Sequence, residues 1–299
     1  MADFTLQRIP LPTGVELDVA IAGDPANPAI ILLHGFPESH RTWRNQIPAL
    51  ADDHYVIAPD QRGFARSSKP EGVENYAPAK PVADLIALAD HLDVGQFTLV
   101  GHDWGGAIAW MAALQNPERI ARLIILNAPH PLVFQRTLFD DPEQRRASQY
   151  ISRFRDTTID KGLIGAGLER FLSSTFAQHI VGGIAGPDQA AYLDEWSQHG
   201  AMTAMLNWYR ASSIVVPTLG DTPERPAWID GPFPPVTQPT LVIWGMKDKA
   251  LLPVQLDSLD ALVPDLTIVR IADGGHFIPW EKPEAVTAAM REWLGARGG

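Results

Sequence analysis

Cysteine is absent from all 299 residues. Its absence excludes thiol nucleophiles, disulfides and cysteine-ligated metals, and it accords with a reducing cytoplasm. Positive charge is scarce: 24 Lys and Arg against 35 Asp and Glu leave a formal net charge of −11. A nucleic-acid or anionic-membrane partner would want a basic face, so neither is expected. No apolar run approaches the roughly 20 residues that a membrane helix needs. The start, "MADFTLQRIPLPTG", lacks a basic stretch followed by an apolar one, so no secretory signal is expected and the expected location is cytoplasmic. Histidines are not clustered, so no metal site and no cofactor is implied.

An ordinary apolar share, 45%, allows a sizeable core. Short apolar runs recur as "PAIILLHG", "HYVIAPD", "FTLVGHD", "IARLIILNA", "PTLVIWG" and "LTIVRIA". Several are apolar throughout rather than alternating, as strands buried on both faces of a parallel sheet are. Helical patterns such as "PVADLIALADHL", "GGAIAWMAALQNPE" and "PEAVTAAMREWLGARGG" lie between them. Strands alternating with helices predict an α/β fold with a mostly parallel central sheet and helices on both faces. The alternation stops between about Pro131 and Pro232. There "DPEQRRASQYISRFRD", "GLIGAGLERFLSSTFAQHI" and "PDQAAYLDEWSQHGAMTAMLNWYRA" read as helices without a convincing strand. The expected organisation is a core of residues 1–130 and 233–299, with 131–232 inserted as a helical lid.

One stretch carries the chemistry. "TLVGHDWGGAIAW" reads as a strand, a glycine-flanked turn and a small-residue helix, with Asp103 at the apex. That is the shape of a nucleophile elbow, where hydrolases usually place serine. By itself Asp103 is equally well a plain helix N-cap. Its partners decide. His276 in "IADGGHFIPWEKP" and Asp248 in "LVIWGMKDKALLP" each follow a strand, where they can converge with Asp103 beyond the sheet's carboxyl edge. Asp248 can accept the imidazole N–H and fix its tautomer. The backbone N–H groups of Phe36, in "LLHGFPESHRTW", and of Trp104 can form an oxyanion hole. The Phe36–Pro37 peptide is a candidate for the cis form.

The motifs "HGFPES", "DQRG", "GHDWGG", "WGMKD", "GGHF" and "NWYR" together resemble those of the α/β-hydrolase-fold epoxide hydrolases, essentially end to end. The resemblance implies two lid tyrosines that donate to an epoxide oxygen. Tyr209 matches one position, and Tyr150 in "ASQYISRF" stands at the other. One departure is Ala65 in "DQRGFARSS", where the family commonly has glycine; Asp60 and Arg62 nearby are expected to be scaffold. Apolar lid residues, Phe134, Phe154, Phe171, Trp208 and Trp228, together with Phe36 and Trp104, are the expected lining for an uncharged, hydrophobic small-molecule epoxide.

Aspartate suits such a substrate. An epoxide carbon is sp³ and has no carbonyl for a serine to attack, whereas a carboxylate is ionised without help and can open the ring from behind. The resemblance thus implies an ester on Asp103, cleared by water that His276 and Asp248 activate, to give a vicinal diol. "GHDWGG" is shared with haloalkane dehalogenases, so halide chemistry on the same nucleophile is the nearest alternative. Phe36 has no side-chain N–H to hold a halide, and no arginine follows Asp103 to hold a haloacid. A binding protein on a hydrolase scaffold is the second alternative, since fold does not fix function.

Overall fold

The computed structural model describes residues 4–176, 184–220 and 224–297. Eight strands form one sheet: β1 (Thr5–Pro10), β2 (Glu16–Ala22), β3 (Ala29–Leu33), β4 (Tyr55–Pro59), β5 (Phe97–His102), β6 (Ile120–Leu126), β7 (Thr240–Gly245) and β8 (Leu266–Ile271). Their order is β1-β2-β4-β3-β5-β6-β7-β8. β1, β2 and β4 pair antiparallel, and every pairing from β4 to β8 is parallel. The six parallel strands are those the apolar runs predict. The amino-terminal hairpin is an addition: β1 is an edge strand exposed everywhere but Ile9, so it carries no apolar run.

Successive residues of a strand face opposite sides, and the helices divide accordingly. Helices α1 (Gln46–Leu50), α2 (Ala79–His91) and α3 (Trp104–Gln115) precede β6. After it come α4 (Pro131–Asp140), α5 (Pro142–Ala147), α6 (Gln149–Arg155), α7 (Ala166–Phe176), α8 (Gly186–Ser197) and α9 (Ala201–Ala211). The chain closes with α10 (Ile278–Glu281) and α11 (Pro283–Gly295). Ile31, Leu33, Leu99 and Ile125 pack with residues of α2 and α3 on one face. Ile30, Leu32, Val100 and Ile124 pack with α1 and α11 on the other. α11 shows why it docks: Val286, Met290, Trp293 and Leu294 recur at helical spacing and are buried. Each such side chain contributes about 1.5–3 kcal/mol by burial.

Among the described residues, no strand lies between β6 and β7. Two of the three quoted helical readings there are each split in two. Ser148 separates α5 from α6, and Gly200, in the left-handed region at φ 73°, turns the chain between α8 and α9. The end of the "GLIGAGLERFLSSTFAQHI" reading, residues 177–180, and residues 221–223 of the proline-rich stretch "VPTLGDTPERPAWIDGPFPPVTQP" that leads to β7 lie outside the described residues. Trp196 Nε1 donates to the Pro37 carbonyl at 2.8 Å, and Arg41 pairs with Glu195 at 2.7 Å, so this segment is tied over the sheet's carboxyl edge. Among the described residues no helix is long and apolar enough to cross a membrane.

Candidate active site

Asp103 connects β5 to α3 with φ 50° and ψ −120°, a strained conformation for a residue with a Cβ. Close packing enforces it. A methyl on Gly105 would lie 2.5 Å from the His34 carbonyl oxygen and nearer still to that of Leu33. Only glycine lets α3 start so close to the end of β3. The side chain of Asp103 is thereby held off the helix start, where it makes no capping bond. Its Oδ1 instead accepts the Phe36 N–H at 2.7 Å. Trp104 is the first residue of α3, where backbone N–H groups have no partner within the helix.

His276 stands between two carboxylates. Its Nδ1 is 2.7 Å from Asp248 Oδ2, and its Nε2 is 3.6 Å from Asp103 Oδ2. Asp248 accepts further bonds from the Ala250 and Leu251 N–H groups and from Asn127 Nδ2, at 2.8–2.9 Å. Burial would raise its carboxyl, but His276 and these donors outweigh burial and hold it below the usual range. Asp103 behaves likewise: burial opposes ionisation, and the bond to His276, its charge and the Phe36 N–H prevail. For His276, burial would lower the imidazole, yet Asp248 and Asp103 raise it well above the ordinary value of 6.5.

Three supports of this group escaped the sequence reading. Asn127, at φ 39° just past β6, bridges Asp248 to β7 through the Gly245 N–H at 2.8 Å. His102 Nε2 donates to the His276 carbonyl at 2.8 Å, and its Nδ1 lies 3.3 Å from the fully buried Glu38. Asn127 could have been found as an asparagine at a strand's carboxyl end, since asparagine tolerates positive φ. Asp60 and Arg62 are scaffold as expected, paired with His40 and Asp84. Ala65, the departure in "DQRGFARSS", is held at φ 43°. The Phe36–Pro37 peptide is cis.

Two cavities meet at Asp103, one of about 600 Å³ and one of about 150 Å³. Tyr150 of α6 and Tyr209 of α9 border both, with ring centroids 6.1 Å apart. Burial, followed by the nearby Asp103 charge, raises both hydroxyls well above 10, so they remain protonated donors. Arg155 fastens the two helices by donating to the Tyr209 and Ile214 carbonyls at 2.9 and 2.8 Å. Phe36, Phe154, Phe171 and His276 line the larger cavity; Trp104, Phe134 and Trp228 line the smaller. Trp208 lines neither. It is buried on the core side of α9, stacked edge-on to Phe64, with Nε1 donating to the Arg62 carbonyl at 3.1 Å. Neighbouring residues of a helix point about 100° apart, so Trp208 anchors the helix whose other side presents Tyr209. Among the described residues no three His, Asp or Glu gather as metal ligands.

Known proteins resemble this chain along nearly its whole length. The family model of the alpha/beta hydrolase fold matches residues 28–283. The AB hydrolase superfamily protein YfhM of Bacillus subtilis is 36% identical, over 94% of this chain and 95% of that one. Epoxide hydrolase A of Mycobacterium tuberculosis is 30% identical, over 96% of this chain and 97% of its own length. A solved structure among novel epoxide hydrolases from metagenomes of hot environments superposes with a TM-score of 0.88 at 46% identity, covering 98% of this chain and 99% of the other.

Proposed function

Because the chain belongs to the α/β-hydrolase fold family and to its epoxide hydrolases, we propose that Asp103 opens an epoxide to an ester that His276 and water clear as a vicinal diol. In this reading, residues 131–232 are the lid and residues 1–130 with 233–299 the core. One observation carries it: Asp103 borders both cavities together with Tyr150 and Tyr209, whose hydroxyls burial keeps protonated, and His276 Nε2 lies 3.6 Å from its carboxylate.

The Asp103 carboxylate attacks one ring carbon from behind while the carbon–oxygen bond opposite breaks. Tyr150 and Tyr209 hydrogen-bond the leaving oxygen, and one of them protonates it as it becomes an alkoxide. A base then has to act on the ester. His276 is protonation-prone while it faces two carboxylates; esterification removes the charge of Asp103 and with it part of that bias. The neutral ring, oriented by Asp248, takes a proton from water, whose oxygen bonds to the Asp103 carbonyl carbon. Phe36 and Trp104 N–H groups hold the oxyanion. Collapse breaks the ester bond, and the proton on His276 passes to the departing diol oxygen. One oxygen of Asp103 now comes from water, and the proton left on that carboxyl returns to the tyrosinate, which restores both groups. The reading includes a cytoplasmic site of action, with which a chain devoid of cysteine is compatible.

The test is intact-protein mass spectrometry of the His276→Asn variant with styrene oxide and, separately, a simple bromoalkane. The expected result is an epoxide-sized adduct mapping to Asp103 and none from the bromide. An adduct from the bromide alone would make the protein a dehalogenase. Absence of any adduct across a wider epoxide panel would favour a binding scaffold.

A further inference from the structure

His276 sits in the loop between β8 and α10, so its ring is aimed only as well as that loop is held. Asp248 fixes the ring at Nδ1, and His102 fixes the residue's carbonyl. A third hold comes from the end of α10. The Glu281 carboxylate accepts the Gly275 N–H at 2.8 Å with Oε2 and the Phe277 N–H at 2.9 Å with Oε1. It therefore grips the residue on each side of His276.

A helix cap accounts for only half of this. The Glu281 N–H donates to the Phe277 carbonyl at 3.0 Å, so the bond from the Phe277 N–H closes the first turn of α10 much as a capping box does. Gly275 lies outside that turn. A Cβ there would stand 2.7 Å from Oε2 and push the carboxylate away, so the second bond needs glycine. The carboxylate is half-buried, and among the described residues no lysine or arginine pairs with it; Lys282, next in sequence, pairs with Asp273. Burial pushes the Glu281 carboxyl up, although the two N–H groups and the His276 charge oppose it. A charge taken partly out of water needs compensation. Here the backbone of the base's own loop supplies it.

We propose that Glu281 is a positioning residue for the second half of the reaction, setting the plane and reach of the His276 imidazole toward the water that attacks the ester. This rests on the epoxide hydrolysis argued above. Ester formation uses Asp103 and the two tyrosines, so its rate is expected to hold. Glutamine keeps the size of the side chain but sets an NH2 group against one of the two N–H donors, so one bond is lost. Alanine loses both.

Single-turnover mass spectrometry with styrene oxide follows the rise and the decay of the ester separately. Wild type, Glu281→Gln and Glu281→Ala would be compared, with Glu284→Gln, an exposed glutamate in the first turn of α11, as the control. The expected decay is about 10-fold slower in Glu281→Gln and about 100-fold slower in Glu281→Ala, with ester formation unchanged. In steady state kcat and KM should fall together as ester accumulates. Rates in this assay do not depend on how much protein is folded, which the amplitude reports. In the His276→Asn background, Glu281→Gln should leave the residual decay as it is, because the group it positions is gone. Equal slowing of both steps, or further slowing without His276, would overturn the proposal. Proton NMR of the Nδ1–H that His276 shares with Asp248 needs no substrate. That resonance should shift or broaden in Glu281→Gln and not in Glu284→Gln; an unchanged resonance would count decisively against a hold by Glu281. If no epoxide gives an ester in any variant, the hydrolase reading fails, while the resonance still decides whether Glu281 holds His276.

Discussion

Replacing Gly105 by alanine should disable the elbow while adding only a methyl group. That methyl would sit 2.5 Å from the His34 carbonyl oxygen, and ordinary contact begins near 3.4 Å. Backbone must therefore move by roughly 0.9 Å, and more to clear Leu33. Overpacking of this kind costs about 1–3 kcal/mol, which lowers Tm by roughly 2–10 °C in a protein of this size. The displacement falls on the junction that aims Asp103 at the Phe36 N–H and at His276. Misplacing a reacting group by about 1 Å costs on the order of 100-fold in rate. Rapid-quench measurement of ester formation, with thermal melts, reads both effects. Gly95→Ala is the control, because a Cβ there meets nothing within 4 Å. If Gly105→Ala kept wild-type Tm and ester formation within twofold, close packing would not be what aims Asp103.

Four further outcomes follow from the same structure. Tyr150→Phe or Tyr209→Phe alone should slow ester formation about 10- to 100-fold, since a bond to a developing charge contributes about 1.5–3 kcal/mol, and the double variant should not form ester; equal single and wild-type rates in rapid-quench mass spectrometry would count against the donors. Arg41→Gln leaves Glu195, whose side chain is 7% exposed, without its partner and should cost about 1–2 kcal/mol, whereas Arg66→Gln breaks a pair exposed on both sides and should stay within about 0.5 kcal/mol in thermal melts. Turnover should fall as pH drops through the pKa of His276 in the ester, which lies below that of the free enzyme because Asp103 is then uncharged, since the base must be neutral; in the free enzyme the same group's stabilising contribution is complete below 6.5 and is lost as pH rises through its raised folded value. Asp103→Asn removes one of the two charges responsible, so an NMR titration should find the imidazole less basic than in the wild type, and an unchanged value would refute the assignment.

The parallel strands were legible because burial on both faces leaves unbroken apolar runs. β1 was not, since an edge strand shows its residues to water and reads like a loop. The strand–turn–helix shape of the elbow was legible in its glycine spacing, but Asp103 read equally well as an N-cap until His276 and Asp248, each placed after a strand, were set beside it. Trp208 counted as lining because it is an apolar residue of the inserted segment, but it points about 100° away from Tyr209, toward Phe64 and the Arg62 carbonyl. Asn127, Glu38 and His102 act through other residues, and no spacing rule marks side chains with partners 121 or 174 positions away.

Asp103, His276 and Asp248 all rise from the sheet, whereas Tyr150 and Tyr209 both come from the segment between β6 and β7. In the proposed reaction the first half needs both parts of the chain and the second half needs only one. Selection can therefore act on the two halves separately. Changes in 131–232 would alter which rings open and how fast, while the rate at which the ester clears stays with the sheet. A hybrid carrying another protein's segment would inherit a new substrate range and keep its old second step. The slower half would then reveal which parent limits turnover.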